Sequence, residues 1–316
     1  MKQISVIIGT YNRCESLRDT IRALKQQIYS SDLQVELFAV DNNSNDKTEI
    51  IVREEAQGSP FPIYYFFEES RGTSFARNRG VHESKGEILI FTDDDTIPNQ
   101  DWIQKIVDNM SKYDADCIGG RILPLWIKTP PDWLFQNEVL MGSLATNDGR
   151  KSVLIAQSYS DYDPQLIYGA NMAFKRACLD AVGLFDVQLG PHGKKNFRGE
   201  ESELIERLLK HGKKVVYIPD AVVKHKVEPK RMKMSYFRSL RFHAGRSQVM
   251  IYPEKWGILP KWLICECISN AFFGLLSYIR RLKSEAIKFE MLFWFQLGVI
   301  TENIRRRFRS FKGVSA

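Results

Sequence analysis

The chain has 316 residues, of which 44% are hydrophobic and 12% aromatic, so its composition excludes a disordered protein and allows a substantial core. The net charge of +7 is divided unevenly, because residues 221–316 hold 19 Lys and Arg against 6 Asp and Glu, whereas residues 1–220 have a net charge of −6. The five cysteines are odd in number and include no CxxC pair, so we expect reduced thiols in a cytosolic protein.

Short apolar strands alternate with helices along the first third of the chain. The strands are predicted at residues 4–8, 35–40, 63–67 and 87–92, and the helices at about 14–28, 46–57 and 73–84. This alternation predicts an α/β fold with a parallel sheet and right-handed crossovers. Later elements are predicted as strands at 168–174 and 215–218 and as a loop leading into a helix at 197–209.

Residues 124–165 interrupt this alternation. The stretch is rich in proline and contains Trp126 and Trp133. A loop of this length inside a compact domain is usually functional, so we predict a lid or an insertion beside the site. Packing of the two tryptophans into a core is an equally good account.

Three consecutive aspartates, Asp93, Asp94 and Asp95, end the predicted strand at 87–92. Adjacent carboxylates at the end of a buried strand repel one another, and such a cluster persists when a positive ion lies on it. Oxygen ligands suit Mg²⁺ or Mn²⁺, and the carboxyl ends of strands border the ligand crevice of open α/β sheets. The triplet therefore predicts a divalent-cation site, with a solvated acidic turn before a helix at Trp102 as the alternative.

Four further stretches place polar side chains after a strand or at the start of a helix, where together they would line one crevice. They are residues 5–13 (SVIIGTYNR), 40–46 (VDNNSND), 71–80 (RGTSFARNRG) and 199–204 (GEESEL). With the aspartates, in this order and strand context, the chain resembles the family 2 inverting glycosyltransferases from residue 3 to about residue 226. The resemblance implies a GT-A fold, which is Rossmann-like, with a mixed, mostly parallel sheet flanked by helices. It also implies transfer of a sugar from a nucleoside diphosphate sugar to an acceptor hydroxyl.

On the donor side, the resemblance implies that the first two turns hold the nucleoside base. Thr10, Tyr11 and Asn12 match the first turn and Asp41 matches the second. A carboxylate can accept the imide N–H of uracil and an aromatic ring can stack on the base, which favours a UDP-sugar. The alternative is that Asp41 belongs only to the N-cap region of a helix.

The resemblance places two arginines, Arg71 and Arg77, toward the nucleotide. The planar fork of arginine suits a diphosphate, because it donates two parallel hydrogen bonds. A basic helix face in water is the alternative.

The acidic triplet matches a DXD motif. By the resemblance, Asp93 and Asp94 contact the donor, while Asp95 and Asp93 bind a divalent cation, Mg or Mn, that assists departure of the nucleotide. His225, at the end of a late predicted strand, would complete the metal site, because neutral imidazole is a competent ligand. A purely structural histidine is the alternative.

On the acceptor side, Glu200 and Glu201 resemble the acidic pair of the family, whose second member is usually Asp and acts as general base. A base is required because a hydroxyl is a poor nucleophile until its proton is removed. We expect Glu201 to be the base, with Glu200 second. The alternative is that both acids only interact favourably with the positive, N-terminal end of the helix macrodipole. Asn171 resembles a polar contact on the strand that lines the acceptor and donor sugar.

The resemblance predicts a catalytic domain at residues 1–226, with a nucleotide-binding half at about 1–100 and an acceptor half at about 101–226. Residues 227–316 then form a basic, aromatic-rich helical extension. Its uncharged runs at 267–279 and 291–301 are 13 and 11 residues long, which is shorter than the roughly 20 apolar residues that span a bilayer.

The extension combines apolar helix faces with arginines that follow directly, a pattern that suits an anionic membrane surface. We therefore predict peripheral contact through residues 260–312 and a cytoplasmic location on the inner face of the cell membrane. The alternative is a helical hairpin that packs on the catalytic domain or on a second copy. No nucleic-acid partner is expected, because the basic residues form no nucleic-acid motif and the front of the chain is acidic.

These features predict a metal-dependent, hexosyltransferase-type enzyme that uses a glycan or lipid-linked acceptor in the synthesis of a cell-surface polysaccharide or glycolipid. Two other functions stay open. One is a non-catalytic homologue that binds nucleotide or glycan. The other is a nucleotidyltransferase, which also combines an α/β fold with a metal ion but releases pyrophosphate.

Overall fold

The chain divides into two compact units. The computed structural model describes residues 1–135, 137–144, 146–148, 154–156, 167–192, 195–256 and 259–311. The first unit comprises Met1–Leu125, Ala145–Gly193 and Glu200–Lys226. The second unit comprises Trp126–Leu144, Lys194–Gly199 and Val227–Ala316.

The first unit is built on one mixed sheet. Its strands are β1 (Lys2–Thr10), β2 (Leu33–Asp41), β3 (Ile63–Phe67), β4 (Ile88–Asp93), β5 (Thr96–Pro98), β6 (Cys117–Trp126), β7 (Leu154–Ala156), β8 (Met172–Lys175) and β11 (Val215–Val227); two-residue strands β9 (Pro191–His192) and β10 (Lys195–Asn196) lie elsewhere in the chain. The sheet order is β3-β2-β1-β4-β8-β6-β11-β5, with β7 paired to β11. Strands β3, β2, β1 and β4 are parallel, whereas β8 is antiparallel to β4 and β6. The predicted α/β class is confirmed.

The helices lie between and after these strands. In chain order they are α1 (Cys14–Lys25), α2 (Thr48–Ala56), α3 (Thr73–Glu83), α4 (Trp102–Lys112), α5 (Asp132–Phe135), α6 (Glu138–Gly142), α7 (Arg176–Val182), α8 (Glu200–Lys210), α9 (Met234–Ile251), α10 (Pro253–Trp256), α11 (Lys261–Ile279) and α12 (Lys283–Phe311). A 3₁₀ turn at Pro229–Met232 precedes α9.

The central strands are buried on both faces. On β1, Ile4 and Ile8 pack into one hydrophobic cluster and Ile7 into another, and on β4 Ile90 and Phe91 divide in the same way. Helices cover both sides of such a strand, so its sequence is a continuous apolar run and not an alternating one. That is why these strands were recognisable as short apolar segments.

Several strands differ from the prediction: β11 extends from the predicted 215–218 to Val227, and β5, β7, β9 and β10 were not predicted. β8 begins at Met172 because residues 169–171 form a turn and bend, and β6 was not predicted at all. The centre of β6 holds Gly119 and Gly120, where a Cβ would lie 2.3 Å from Ile167 Cγ1 and 2.3 Å from Asn171 Nδ2 respectively. Neighbouring segments approach the backbone so closely there that only glycine fits, and glycine carries no strand signal in a sequence.

The interrupted stretch lies partly in the second unit. Trp126 makes an edge contact with Phe135 at 5.7 Å, and Trp133 makes one with Phe237 at 6.2 Å. Packing therefore accounts for both tryptophans. The lid prediction falls partly on residues 136, 145, 149–153 and 157–165, which lie outside the described ranges.

The long helices of the second unit approach one another through glycine. On α9 a Cβ at Gly245 would lie 1.9 Å from the Phe295 carbonyl oxygen, and on α12 a Cβ at Gly298 would lie 2.0 Å from the Phe242 carbonyl oxygen. The two helices thus cross with their backbones in contact. An ion pair between Arg246 and Glu302 (2.8 Å) is buried beside this crossing.

Helix α11 has an exposed apolar stripe. Ile268, Phe272, Leu275 and Ile279, which recur at helical spacing, are each 61–68% exposed. Among the described residues α11 meets the length and composition criteria for crossing a membrane, and 17% of its apolar window is buried, although core helices of soluble proteins meet the same criteria. The uncharged runs alone had predicted no segment of this length.

Candidate functional site

The sheet register gathers polar side chains at the carboxyl edge of the parallel strands. Thr10, the last residue of β1, lies opposite Asp41, the last residue of β2. Asp93, the last residue of β4, lies opposite Gly9. The three strand ends therefore open onto the same crevice, as expected for a ligand site in an open α/β sheet.

The acidic triplet continues into this crevice with two of its side chains buried. Thr10 Oγ1 donates a hydrogen bond to Asp94 Oδ2 at 2.7 Å. Arg13 Nη1 donates to Asp94 Oδ1 at 3.1 Å and to Asp95 Oδ2 at 2.8 Å. Burial raises the pKa of Asp94 to about 6, and Arg13 partly opposes that rise.

Two carboxylates and an imidazole converge near the end of β4. One ligand atom from each of Asp93, Asp95 and His225 lies within 4.8 Å of the other two. His225 is placed by the antiparallel pairing of β11 with β5, where it lies opposite Thr96, and its Nε2 is 3.1 Å from Asp95 Oδ1. Two hard oxygen donors and one imidazole nitrogen are a donor set that Mn²⁺ or Mg²⁺ accepts, so these residues fit a divalent cation.

The two predicted base-binding turns are clamped together by Asn12. The Asn12 backbone has φ +51°, which asparagine tolerates better than most residues. Asn12 N–H donates to Ser44 Oγ at 2.9 Å, and Asn12 Oδ1 accepts from the Asn45 N–H at 2.7 Å. The Arg71 guanidinium lies 4.7 Å from the ring centroid of Tyr11, which is exposed. A flat aromatic and cationic surface thus stands at the mouth of the first turn.

Asp41 is buried beneath this surface. Its Oδ1 accepts from the Ser44 N–H at 2.8 Å and its Oδ2 accepts from the Tyr65 hydroxyl at 2.9 Å. Burial, followed by the hydrogen bond to Asp41, raises the pKa of Tyr65. Tyr65 therefore stays a neutral donor that orients the carboxylate, a role that the sequence did not reveal.

Arg77 joins the donor edge of the crevice to the start of α8. Its guanidinium lies 3.1 Å from Glu200 Oε1, 3.4 Å from Glu201 Oε1 and 3.5 Å from Asp93 Oδ1. The side chain is 6% exposed, and its guanidinium also lies over the Phe185 ring. Burial lowers the pKa of Arg77, but Glu201, Glu200 and Asp93 outweigh burial and raise the pKa overall.

The two glutamates differ in access. Glu200 is 5% exposed at its side chain, whereas Glu201 is 18% exposed. Glu201 Oε1 also accepts a hydrogen bond from the Gly169 N–H at 3.1 Å. A Cβ on Gly169 would lie 1.8 Å from an Arg77 nitrogen, so a larger residue here would displace the Arg77 guanidinium. Glu201 is thus the carboxylate that is both held in place and open to solvent.

Asn171 is not part of this group. Its side chain is fully buried, with Oδ1 accepting from Trp102 Nε1 at 2.8 Å and Nδ2 donating to the carbonyl oxygens of Arg121 and Ala221, each at 2.9 Å. No surface of this amide is left for a substrate to contact. The structure therefore supports a structural role for Asn171, which ties β6, α4 and β11 together.

Two family models match the chain. The model described as Glycosyl transferase family 2 matches residues 5–152, and the model described as Glycosyl transferase family group 2 matches residues 88–305, which is more than half of the chain. The chain belongs to the family 2 glycosyltransferases. As a family 2 glycosyltransferase, it is an enzyme of glycosyl transfer.

Relatives of known role cover most of this family 2 glycosyltransferase. The glucosyl-dolichyl phosphate glucuronosyltransferase of Haloferax volcanii is 27% identical over 261 residues, which are 80% of this chain and 79% of that protein. The succinoglycan biosynthesis protein ExoM of Rhizobium meliloti is 22% identical over 263 residues, which are 83% of this chain and 79% of ExoM. One of these relatives is thus named for glucuronosyl transfer and the other for the biosynthesis of succinoglycan.

Solved structures confirm the GT-A fold. The mannosyltransferase PcManGT from Pyrobaculum calidifontis, in complex with GDP-Man and Mn²⁺, matches with a TM-score of 0.64 at 19% identity, over 97% of this chain and 88% of that one. S. aureus TarS 1-349 in complex with UDP matches with a TM-score of 0.54 at 15% identity, over 97% and 92%. At these identities the likeness is one of fold.

Proposed function

We propose that the enzyme is an inverting, metal-dependent hexosyltransferase that moves a sugar from a nucleoside diphosphate sugar to an acceptor hydroxyl. One observation carries the proposal: a continuous set of contacts runs from His225 and Asp95, past Asp93, through Arg77 to Glu201. A cation site for a diphosphate and a carboxylate base for a hydroxyl are the two requirements of this reaction, and both lie along that line.

The donor nucleoside is assigned to the clamped turns. Tyr11 offers a ring face to the base, and Arg71 lies over the same ring. Asn12 joins the two turns, Thr10 ties the first turn to Asp94, and Asp41 supplies a buried carboxylate for a base N–H. This assignment favours a uridine nucleotide. The structural relatives were solved with GDP-Man and with UDP, so both nucleosides are compatible with the fold.

The cation is assigned to Asp95, Asp93 and His225, while Asp93 and Asp94 face the donor. When bound, a Mg²⁺ or Mn²⁺ ion supplies Lewis-acid stabilisation of the charge on the departing diphosphate. Asp94 positions the triplet through its hydrogen bond from Thr10. Arg77, which the sequence assigned to the nucleotide, has its hydrogen bonds directed to carboxylates, so its proposed role is to hold Asp93 and Glu201 in register.

Glu201 is assigned as the general base. Its carboxylate takes the proton of the acceptor hydroxyl while the hydroxyl oxygen attacks the anomeric carbon on the face opposite the diphosphate. The new C–O bond forms as the bond to the phosphate oxygen breaks, so the anomeric configuration inverts. Arg77 Nη1 lies 3.4 Å from Glu201 Oε1 and the Gly169 N–H donates to the same oxygen at 3.1 Å, so both contacts orient the carboxylate for this step.

The domain and cellular assignments complete the proposal. Residues 1–226 form the catalytic domain, with a nucleotide half at about 1–100 and an acceptor half at about 101–226, and residues 227–316 form a membrane-contacting extension. The exposed stripe of α11 supports contact with the inner face of the cell membrane. Dolichyl phosphate in the name of one relative and succinoglycan in that of another support a lipid-linked or glycan acceptor.

A donor panel tests the function. The full chain is incubated with UDP-, GDP- and dTDP-sugars, with Mn²⁺ or with EDTA, and the released nucleotide is identified. We expect one class of donor to be hydrolysed slowly to the nucleoside diphosphate, only with the metal present. Release of pyrophosphate would select a nucleotidyltransferase instead, and absence of any nucleotide binding would select a non-catalytic homologue.

Two matched variants, one at each glutamate, test the assignment of the general base. With the donor identified, Glu201→Gln should bind donor normally but lose transfer by about 10²–10⁴-fold, because no proton acceptor remains at the hydroxyl. Glu200→Gln should retain more activity, since Glu200 is the more buried member. If Glu200→Gln is the inactive variant and Glu201→Gln transfers normally, the base is Glu200.

A further inference from the structure

Arg13 lies on the acidic triplet, and neither the motifs nor the proposed function gives it a role. It immediately precedes α1, directly after the turn that contains Thr10. Its Nη1 contacts Asp95 Oδ2 at 2.8 Å and Asp94 Oδ1 at 3.1 Å. Its side chain is 35% exposed, whereas those of Asp94 and Asp95 are 6% and 7% exposed. A partly exposed cation therefore covers a buried acidic pair.

We propose that Arg13 couples binding of the divalent cation to binding of the donor diphosphate. This inference rests on the proposed function, because it takes Asp95, Asp93 and His225 as the cation ligands. Asp95 is contacted on Oδ2 by Arg13 and on Oδ1 by His225. A divalent ion on Asp95 would lie close to the Arg13 guanidinium, and like charges repel strongly where little water separates them. Arg13 thus opposes the cation when the cation arrives alone.

When a diphosphate binds together with the cation, Arg13 no longer opposes cation binding. The negative charge of the diphosphate attracts both the divalent ion and the guanidinium, and the planar fork of arginine can donate two hydrogen bonds to phosphate oxygens. Arg13 has the exposure to turn from the aspartates toward such a ligand. Arg77 does not, because it is buried against Glu200, Glu201 and Asp93. Arg13 is therefore a positioning residue that admits the cation together with the nucleotide.

The coupling is measurable without turnover. The affinity of the full chain for Mn²⁺ is determined by electron paramagnetic resonance of free Mn²⁺, alone and with saturating UDP or GDP, after subtraction of a protein-free nucleotide titration. The proteins are wild type, Arg13→Ala, Arg13→Gln and Arg22→Ala. Arg22 is the matched control, since it lies on α1, which Arg13 immediately precedes, and it pairs with Glu55 at 2.8 Å rather than with the triplet.

We expect the nucleotide to tighten Mn²⁺ binding to the wild type by about tenfold or more, a normal size for coupling between two ligands. Arg13→Ala and Arg13→Gln should bind Mn²⁺ alone several-fold more tightly than the wild type, and the nucleotide should then tighten binding far less. Arg22→Ala should behave as the wild type does. By reciprocity, Mn²⁺ should tighten nucleotide binding to the wild type by the same factor.

Equal Mn²⁺ affinity and equal nucleotide enhancement in the wild type and both Arg13 variants would overturn the inference. Arg13→Gln retains a polar side chain, so it supplies the test if Arg13→Ala does not fold by circular dichroism. Asp95→Asn separates this failure from failure of the proposed function. If Asp95→Asn binds Mn²⁺ as the wild type does, the cation assignment itself is wrong; if it does not bind, the cation site stands and only Arg13 is in question.

Discussion

Replacing Arg77 with methionine tests whether the crevice is held together by one buried charge. Methionine keeps much of the length and can still pack on Phe185, but it removes the positive charge that faces three carboxylates. Arg79→Met is the matched control. Arg79 lies two positions further along α3, is 41% exposed at its side chain and pairs with Glu83 at 2.8 Å on the same helix.

The expected losses differ because burial differs. Removing one partner from a buried ion pair leaves an uncompensated charge and typically costs about 3–5 kcal/mol of unfolding free energy. Here the carboxylate left most deeply buried is Glu200, with Asp93 and Glu201 nearby. An exposed pair between positions i and i+4 of a helix contributes about 0.3–0.5 kcal/mol. Arg77→Met should therefore lose several kcal/mol and Arg79→Met well under one.

The pH dependence identifies charge as the cause. Burial raises the pKa of Asp93, and Arg77 opposes that rise, so without Arg77 the folded-state pKa of Asp93 should rise further above its unfolded value, and the folded variant takes up a proton as the pH falls. The stability gap to the wild type should thus be largest near pH 7.5 and shrink toward pH 4.5. Urea unfolding of the full chain at both pH values, followed by circular dichroism, measures the gap. Equal losses for the two arginine variants, or a gap independent of pH, would refute the reasoning.

Three further outcomes follow from the structure. Gly298→Ala should lower the free energy of unfolding by several kcal/mol, because its Cβ would lie 2.0 Å from a backbone oxygen. In Gly274→Ala the nearest atom would be 3.4 Å from the new Cβ, so this control should be neutral or gain about 1 kcal/mol from helix propensity. Thermal unfolding measures both. A double variant Phe272→Ser with Leu275→Ser should lose most of its cosedimentation with phosphatidylglycerol vesicles while its unfolding midpoint stays unchanged; equal sedimentation would argue against membrane contact. Burial raises the pKa of Asp94 to about 6, so its ionisation lowers the stability of the folded wild type as the pH rises from about 4 to about 6. Asp94→Asn should therefore gain stability relative to the wild type across that range in EDTA. A constant difference between the two proteins would show that the pKa of Asp94 is not raised.

The strand ends could be predicted from sequence because one physical rule places them. Parallel strands of similar length end at the same edge of a sheet, so the polar residues that follow apolar runs must lie together. Thr10 opposite Asp41 and Asp93 opposite Gly9 are the direct result. The same rule says nothing about side-chain direction within a loop, which is why Asn171 was expected in the crevice and is instead buried against Trp102, 69 residues away.

The pairing of charged side chains that are distant in the chain could not be predicted from the sequence, for a different reason. Arg77 and Glu200 are 123 residues apart, and no local periodicity relates α3 to α8. Each residue is an ordinary surface type in its own helix, and only the closed fold shows that the two charges are buried together. Arg13 has the same character, since it meets Asp94 across 81 residues from a turn with no apolar pattern.

One local signal in α3 does, however, point to the buried face that carries Arg77. The buried positions of this helix are Ser74, Ala76, Arg77, Gly80 and Val81, of which only Val81 is a larger apolar residue. A Cβ at Gly80 would lie 2.4 Å from Ile7 Cγ2, so the helix approaches β1 closely at that point. Small residues at positions i and i+4 thus mark the side of a helix that touches a sheet, as apolar residues do elsewhere. An arginine between two such small residues is buried against the sheet, where its charge is stable only if carboxylates pair with it. An arginine in a small-residue face of a helix therefore predicts a buried ionic cluster.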